Sequence, residues 1–241
     1  MGIAGALRKV HENIIKAARK TGRDPDEIRL VAVTKTVGLD SIEEAAQAGA
    51  RIFGENRVQE AKLKISNFKS QTCLPAGKVS YKPVEWHLIG SLQKNKAKTA
   101  VQLFDLIHSL DSYDLALILN KCAEQCDKKQ RVLVQVKLSA EESKHGTYEK
   151  DVFELLEKVH AMDYLQVEGL MTIPPYLEDP EQARPYFRRL KEIRDRAARK
   201  GFHVPELSMG MSHDYEVAIG EGATLVRVGT AIFGERKKER I

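Results

Sequence analysis

Short runs of β-branched and other apolar residues alternate along the chain with longer segments of helical periodicity. The short runs predict eight strands, at residues 29–33, 51–53, 85–89, 106–109, 131–137, 165–171, 206–208 and 225–228. Residues 30–33 and 132–134 are apolar at every position, which is typical of strands that are buried on both faces. The strands therefore belong to a sheet that is covered on both sides.

Amphipathic segments precede and separate these strands. They predict helices at residues 3–21, 40–49, 57–66, 93–99, 113–126, 149–161, 180–200 and 214–220. Gly49 ends the second of them, where a glycine is favoured just past a helix. Alternation of strands and helices indicates a parallel sheet with right-handed crossovers. Eight such units in 241 residues favour a (β/α)8 TIM-type barrel with an extra N-terminal helix, as a single domain over residues 1–241.

Two segments depart from this rhythm. Residues 67–83 combine Pro, Gly, Ser and Lys with little periodicity, which predicts a flexible loop. Residues 237–241 form a basic tail, which holds much of the small excess of 39 basic over 34 acidic residues. No basic face with interleaved aromatic residues is evident, so a nucleic-acid partner is not expected. The net charge of +5 favours anionic small molecules instead.

The chain also lacks the patterns of targeting and membrane segments. Residues 1–23 carry basic residues throughout, unlike a signal peptide, and no run approaches the roughly 20 apolar residues that span a bilayer. Of three cysteines, Cys122 and Cys126 are four apart on a predicted helix and are interpreted as reduced thiols. We expect a cytoplasmic protein without a membrane association and without a metal site.

Candidate chemistry lies at the carboxyl ends of the strands, where the active sites of parallel barrels are found. Lys35 follows the first strand, and burial there would favour the neutral amine that forms an imine. A lysine that only extends into solvent is an equal alternative. The residues at or near the strand ends are Lys35, Asn56, His87, Ser109, Lys137, Met171, Thr172, Ser208, Met209, Met211, Ser212, Arg227, Gly229 and Thr230.

The last two strands predict a phosphate site. Gly229 follows the last strand, where a glycine lets backbone N–H groups approach an anion, and Thr230 adds a hydroxyl. Ser212 lies near the start of a helix, whose dipole favours an anion. A tight turn is the simpler alternative for Gly229. His87 is as consistent with a core histidine as with a catalytic one. The simpler interpretation of Glu55 is an acid at a helix start.

Seven segments, in order along nearly the whole chain, read AVTKT (32–36), FGEN (53–56), WHLIG (86–90), EESKHG (141–146), GLMTI (169–173), SMGMS (208–212) and VRVGTAIFG (226–234). Together they resemble the pyridoxal phosphate homeostasis protein family, whose cofactor is pyridoxal 5′-phosphate (PLP). The chain departs from the family at residues 36–38, which read TVG where TKP is more frequent, and residues 67–83 are longer than expected.

The resemblance implies a PLP-binding barrel similar to the N-terminal domain of alanine racemase. It assigns Lys35 to the Schiff base and Arg227 to the pyridine nitrogen. It places Asn56 beside the cofactor and implies that the remaining cofactor-binding residues lie around the ring and phosphate. These are Ser208, Met209, Met211, Ser212, Gly229 and Thr230. Residues 141–146 are interpreted as a surface turn, with a lid contact as the alternative.

The resemblance also implies a role in PLP homeostasis without robust catalysis, so no catalytic residue is assigned. An arginine at the ring nitrogen makes the ring a poorer electron sink than a carboxylate does. No second domain is expected to supply a base opposite Lys35, and a monomer is expected. Partners would be PLP and PLP-dependent apo-enzymes. The alternatives are a single-domain racemase-like enzyme, a sugar-phosphate barrel without PLP, and an interaction protein that uses the basic tail.

Overall fold

A computed structural model describes residues 2–72, 83–139, 141 and 145–235 of the chain. Its centre is a parallel sheet whose strands, in chain order, are β1 (Arg29–Val33), β2 (Ile52–Glu55), β3 (Glu85–Leu88), β4 (Leu106–Leu110), β5 (Gln130–Lys137), β6 (Thr147–Tyr148), β7 (Leu165–Met171), β8 (Glu206–Met211) and β9 (Leu225–Val228). Strand β1 pairs with both β2 and β9, and β4 pairs with β5, so eight strands close into a barrel. The two-residue strand β6 only extends the edge of β5. The predicted barrel is confirmed.

Helices surround the barrel. They are α1 (Ile3–Lys20), α2 (Leu39–Gln47), α3 (Val58–Thr72), α4 (Ala97–Leu103), α5 (Tyr113–Gln125), α6 (Val152–His160), α7 (Arg184–Arg199), α8 (Tyr215–Gly220) and α9 (Thr230–Phe233). Single 3-10 turns precede α4, α6 and α7. The extra N-terminal helix α1 packs against α8 and α9 and so supports the loops that follow β8 and β9.

Two hydrophobic clusters hold the barrel together. A small inner cluster fills the barrel and comprises Val31, Val33, Ile52, Ile89, Leu106, Leu133, Met171 and Leu225. The larger outer cluster lies between the strands and the helices and includes the fully buried Phe53, Phe104 and Phe187. Neighbouring residues of a strand point to opposite faces, so β1, β2, β4, β5, β7 and β9 contribute residues to both clusters. Each fully buried side chain of this size stabilises the fold by about 1.5–3 kcal/mol.

Several predicted boundaries differ from the structure. Helix α3 continues to Thr72, so the predicted loop at residues 67–83 begins at least six residues later, and residues 73–82 lie outside the described residues. The tail at 237–241 lies outside them as well. Strand β8 runs three residues beyond its predicted end at Ser208. Helix α9 and strand β6 were not predicted. Gly49 has a φ of +110°, as expected for a glycine just past a helix.

Candidate functional site

A cavity of about 520 Å³ opens at the carboxyl ends of the barrel strands. That volume lies within the range of roughly 300–1,000 Å³ that is usual for small-molecule sites. Seven of the nine residues predicted to bind a cofactor line it, namely Lys35, Asn56, Met211, Ser212, Arg227, Gly229 and Thr230. The barrel therefore brings residues from both ends of the chain to one place.

Lys35 stands at the rim of the cavity, one residue beyond Thr34 at the end of β1. Its position is exposed, so the expected burial of this lysine is wrong: the chain has already left the barrel interior at this point. Its two neighbours are anchored. The Thr34 hydroxyl donates to Glu55 Oε1 over 2.6 Å, and the Thr36 N–H donates to Glu60 Oε1 over 2.5 Å. Thr36 adopts a left-handed φ of +59°, which turns the chain sharply after Lys35.

Glu55 is a buried acid beneath this rim and not an acid at a helix start, which was the simpler interpretation of the sequence. It completes β2 and is fully buried. The Lys64 ammonium donates to Glu55 Oε1 over 2.8 Å and to the Thr34 carbonyl over 2.5 Å. Burial raises the pKa of the Glu55 carboxyl, and the hydrogen bonds from Lys64 and Thr34 oppose that shift. The pair thus ties α3 to the strand end that presents Lys35.

Arg227 is the buried cation of the site. Its guanidinium donates from Nη1 to Ser208 Oγ over 2.6 Å and from Nη2 to the Thr172 carbonyl over 2.9 Å, and it also lines the cavity. No carboxylate of the described residues lies within ion-pair distance of it. Burial lowers the pKa of Arg227 to about 10, and the charge of Asp214 opposes this shift only in part. The site therefore holds a cation in a dry environment with donors left for a ligand.

Two adjacent loops form the opposite wall. The Gly229 N–H donates to Ser212 Oγ over 3.1 Å, and Thr230 begins α9 directly after it. Gly210 bends the end of β8 with a φ of +90°, and a Cβ there would lie 2.6 Å from the Cβ of Ala218. Only glycine fits this bend, which directs Met211 and Ser212 toward the cavity.

Two predicted residues do not line the cavity, and both lie on β8. Ser208 is fully buried under Arg227, with its Oγ 2.9 Å from His108 Nδ1. Met209 is fully buried in the outer hydrophobic cluster, because its side chain points from β8 toward the helices. Ser208 thus reaches the site only through Arg227, whereas Met209 packs on the other face of the strand.

Other lining residues were not predicted from the sequence. Tyr176 and His213 form the mouth, with their ring centroids 5.7 Å apart. His145, which the sequence placed in a surface turn, also lines the cavity, and its carbonyl accepts a hydrogen bond of 2.9 Å from Gln135. Residues 142–144 lie outside the described residues. Tyr176 follows Pro174-Pro175, a stiff segment after β7, which is the only local signal for it.

Comparison with known proteins identifies the family. The profile of the family described as alanine racemase, N-terminal domain, matches residues 6–237. The pyridoxal phosphate homeostasis protein of Aquifex aeolicus (strain VF5) is 44% identical over 238 residues, which are 98% of this chain and 100% of that protein. This chain belongs to the pyridoxal phosphate homeostasis protein family. The resemblance seen in the seven sequence segments is thereby confirmed.

Solved structures agree with this assignment. PipY of Synechococcus elongatus PCC7942, solved with PLP bound, is 34% identical and matches with a TM-score of 0.82, over 96% of this chain and 100% of that chain. An alanine racemase of Clostridium difficile 630 matches with a TM-score of 0.70 at 13% identity, over 98% of this chain and 62% of that chain. The second likeness shows the shared barrel fold.

Two further findings concern the described ranges alone. Within residues 2–72, 83–139, 141 and 145–235, no helix is both long and apolar enough to cross a bilayer. Within the same ranges, no three His, Cys, Asp or Glu side chains are grouped so that they could hold a metal ion. The donors that line the cavity are amines, guanidinium, hydroxyls and backbone N–H groups, which suit an organic anion.

Proposed function

We propose that the cavity binds PLP and that the protein serves PLP homeostasis, by buffering or carrying the cofactor without robust catalysis. The observation that carries this proposal is the meeting of Lys35, Arg227 and the Ser212–Gly229–Thr230 wall around one cavity. PLP, when bound, supplies an aldehyde for reversible imine formation and a pyridine ring that can accept electrons. The three groups of residues match its aldehyde, its ring nitrogen and its phosphate.

Each group has a defined task in this proposal. Lys35 would hold the aldehyde end of PLP covalently through its amine, in a bond that water can reverse. Ser212, Gly229 and Thr230 would hold the phosphate, because the Thr230 N–H begins α9 without an intrahelical acceptor and glycine at 229 lets the backbone approach an anion closely. Arg227 would donate a hydrogen bond to the ring nitrogen. Since arginine has no acceptor, a nitrogen that it faces would stay unprotonated.

The absence of robust catalysis is part of the proposal and rests on Arg227. Strong PLP catalysts often place a carboxylate at the ring nitrogen, which keeps that nitrogen protonated and the ring electron-poor. A buried guanidinium at the same place disfavours that proton and makes the ring a weaker electron acceptor. A racemase-like protein would also exchange the Cα proton of an amino acid with solvent. Deuterium incorporation into any member of an amino-acid panel, lost in Lys35→Ala, would overturn this part of the proposal.

The binding site is tested by the absorption spectrum of the purified protein before and after borohydride. A visible band is expected that borohydride bleaches, with PLP fixed to the Lys35 peptide in a digest. Lys35→Ala should lose both the band and the labelled peptide. Lys94→Ala is the control, because Lys94 is an exposed lysine paired with Asp114 and does not line the cavity. Wild-type protein that stays colourless with added PLP would overturn the proposal.

The carrier role has its own test. We propose that the loaded protein, as a single-domain cytoplasmic monomer, delivers PLP to PLP-dependent apo-enzymes. An apo-enzyme should then gain activity faster from the loaded protein than from the same concentration of free PLP. Equal rates would leave buffering as the role and contradict delivery. Light scattering across a concentration series measures the oligomeric state in the same preparation.

A further inference from the structure

A chain of buried polar side chains crosses the barrel beneath the cavity. Arg227 Nη1 lies 2.6 Å from Ser208 Oγ, which lies 2.9 Å from His108 Nδ1. His108 Nε2 lies 3.0 Å from His87 Nδ1, and His87 Nε2 lies 3.1 Å from Glu85 Oε2. The chain runs from β9 and β8 across to β4 and β3, and its three central residues are fully buried. It joins the cavity to the amino-terminal end of the barrel.

The two ends of this chain carry opposite charges. Arg227 can only donate hydrogen bonds. At the other end, the hydrogen bond from His87 lowers the pKa of the Glu85 carboxyl, outweighing its partial burial, and the charge of Arg131 lowers it further, to about 2. Glu85 is therefore ionised at neutral pH and can only accept. A chain with a pure donor at one end and a pure acceptor at the other has one possible direction.

Both imidazoles between these ends are neutral. Burial lowers the pKa of His87 and lowers that of His108 well below its ordinary value. The neighbouring positive groups Arg227, Arg29 and Arg131 also disfavour a charged His108. A neutral imidazole donates from one ring nitrogen and accepts at the other. Each histidine therefore passes the hydrogen-bond direction on and cannot reverse it.

The direction of the hydrogen-bond chain determines which atom of each residue carries the proton. Ionised Glu85 requires His87 to carry its proton on Nε2, so that His87 Nδ1 accepts from His108 Nε2–H. His108 Nδ1 is then an acceptor for the Ser208 hydroxyl, which donates to it and keeps its oxygen lone pairs free to accept from Arg227. Among the described residues, the guanidinium makes one further hydrogen bond, to the Thr172 carbonyl. The chain thus supplies the second of two anchors for Arg227.

We infer that Ser208, His108 and His87 are positioning residues, which form a one-directional hydrogen-bond chain that aims the Arg227 guanidinium at the ring nitrogen of bound PLP. The inference rests on the proposed PLP site for its final step, but the chain itself exists without a ligand. It explains how a buried arginine without a carboxylate partner among the described residues keeps one orientation.

The first arm of the test uses cofactor-free wild-type protein labelled with ¹⁵N-histidine. Long-range ¹H–¹⁵N correlation spectra distinguish the two neutral tautomers and the charged imidazolium, and His87→Gln and His108→Gln assign the two signals. Both residues are expected as the neutral Nε2–H tautomer at neutral pH. An imidazolium, or an Nδ1–H tautomer at His108, would overturn the inference. This arm needs no PLP, so its outcome is separate from that of the proposed function.

The second arm compares Ser208→Ala with Ser109→Ala, loaded with PLP that carries ¹⁵N in its ring. Ser109 is a buried serine whose hydroxyl has no hydrogen-bond partner among the described residues, so it is a matched control. Ser208→Ala should shift the ring-nitrogen resonance and raise the PLP Kd about tenfold, because Arg227 loses one anchor. Ser109→Ala should match the wild type. Wild-type values in Ser208→Ala would overturn the inference, whereas wild-type protein that binds no PLP would overturn the proposed function instead.

Discussion

The two ends of the barrel differ in whether their arginines are paired with carboxylates. At the amino-terminal end of the strands, Arg29 pairs with Glu206 over 2.8 Å. Arg131 pairs there with Glu168 over 2.8 Å and with Glu85 over 3.1 Å. At the carboxyl end, Arg227 is more deeply buried and has no carboxylate at ion-pair distance among the described residues. The paired charges close one end of the barrel, and the uncompensated cation leaves the other end ready for a ligand.

This contrast separates stability from function within one fold. In barrels of this kind, loops at the carboxyl end carry the chemistry and the amino-terminal end carries stability. Changes at the amino-terminal end that keep the contact between Glu85 and His87 should therefore lower the free energy of unfolding and leave PLP binding intact. Changes at the carboxyl end should weaken PLP binding without lowering the free energy of unfolding.

The largest effect is expected from Gly169→Ala, toward the amino-terminal end. A Cβ on Gly169 would lie 2.0 Å from the carbonyl oxygen of Glu206 on the neighbouring strand. Both groups belong to the backbone of the barrel, so the clash can be relieved only by separating β7 from β8. We expect a loss of roughly 3 kcal/mol in the free energy of unfolding, measured by urea denaturation. The PLP affinity of the folded fraction should stay at the wild-type value.

Gly220→Ala is the matched control for this prediction. Its added Cβ would come no closer than 3.5 Å, to Arg184 Nη1, and Gly220 is the last residue of α8. Alanine is favoured over glycine in helices, so stability should be unchanged or raised by up to about 1 kcal/mol. A loss below about 1 kcal/mol in Gly169→Ala would mean that the strands yield more readily than their close contact indicates.

The next effect is the loss of PLP affinity in Arg227→Met, at the carboxyl end. Removing a charge-assisted donor from the ring nitrogen should raise the Kd about tenfold to a hundredfold. The free energy of unfolding should change little or increase, because burying a cation that has no carboxylate partner among the described residues is costly. Arg29→Met, at the other end, should lower stability by about 1 kcal/mol and leave the Kd unchanged. Fluorescence titration with PLP and urea denaturation of both variants would show whether PLP affinity and stability depend on different ends of the barrel.

The same contrast explains how far the sequence predicts the structure. All eight barrel strands follow from local apolar runs, and Lys35, Gly229 and Thr230 follow from their places directly after strands. These signals need only a few neighbouring residues. Strand β8 is predicted three residues too short, because Gly210 interrupts the alternation of side chains near its end. The family resemblance, and not strand alternation, is what assigns both the inward Ser208 and the outward Met209 to the cofactor.

Contacts across the barrel have no such local signal. His87 contacts His108, 21 residues away, and His108 contacts Ser208, 100 residues away. Their meeting depends on the register of closed strands, which no short window of sequence contains. The Glu55–Lys64 pair is closer in sequence. It has no local signal either, because an acid at the end of a four-residue strand is hard to distinguish from an acid at the start of the next helix. The fold was therefore predictable in its elements, and the site only where its residues follow strand ends.

A smaller effect is expected from pH, and it reports on the amino-terminal end. The folded-state pKa of Glu85, about 2, lies below its ordinary value of 4.5, so its contribution to stability is present above pH 4.5 and lost as the pH falls toward 2. The lowered pKa values of His87 and His108 act in the same sense below pH 6.5. Stability should thus be highest above pH 6.5 and fall in two stages.

Glu85→Gln tests this prediction against Glu168→Gln, which keeps the contact between His87 and Glu85. Glu85→Gln should remove the second stage, an effect of roughly 1 kcal/mol once solvent screening of the half-exposed carboxylate is allowed for. Glu168→Gln should keep both stages. Urea denaturation from pH 8 to pH 3 measures the difference, and identical curves for the two variants would contradict the part assigned to Glu85.

The smallest effect is expected at the mouth of the cavity, from Tyr176→Ala. Tyr176 is 78% exposed, so its loss should change the free energy of unfolding by less than about 0.5 kcal/mol. Its ring nevertheless lies against His213 over the entrance, and removing it should open a path for water to the proposed Schiff base and for PLP to leave. The dissociation rate of PLP should rise a few-fold. Tyr148→Ala is the control, because Tyr148 is also exposed and does not line the cavity. Equal release rates in the two variants would mean that the entrance is already open, and that the covalent bond to Lys35 alone retains the cofactor.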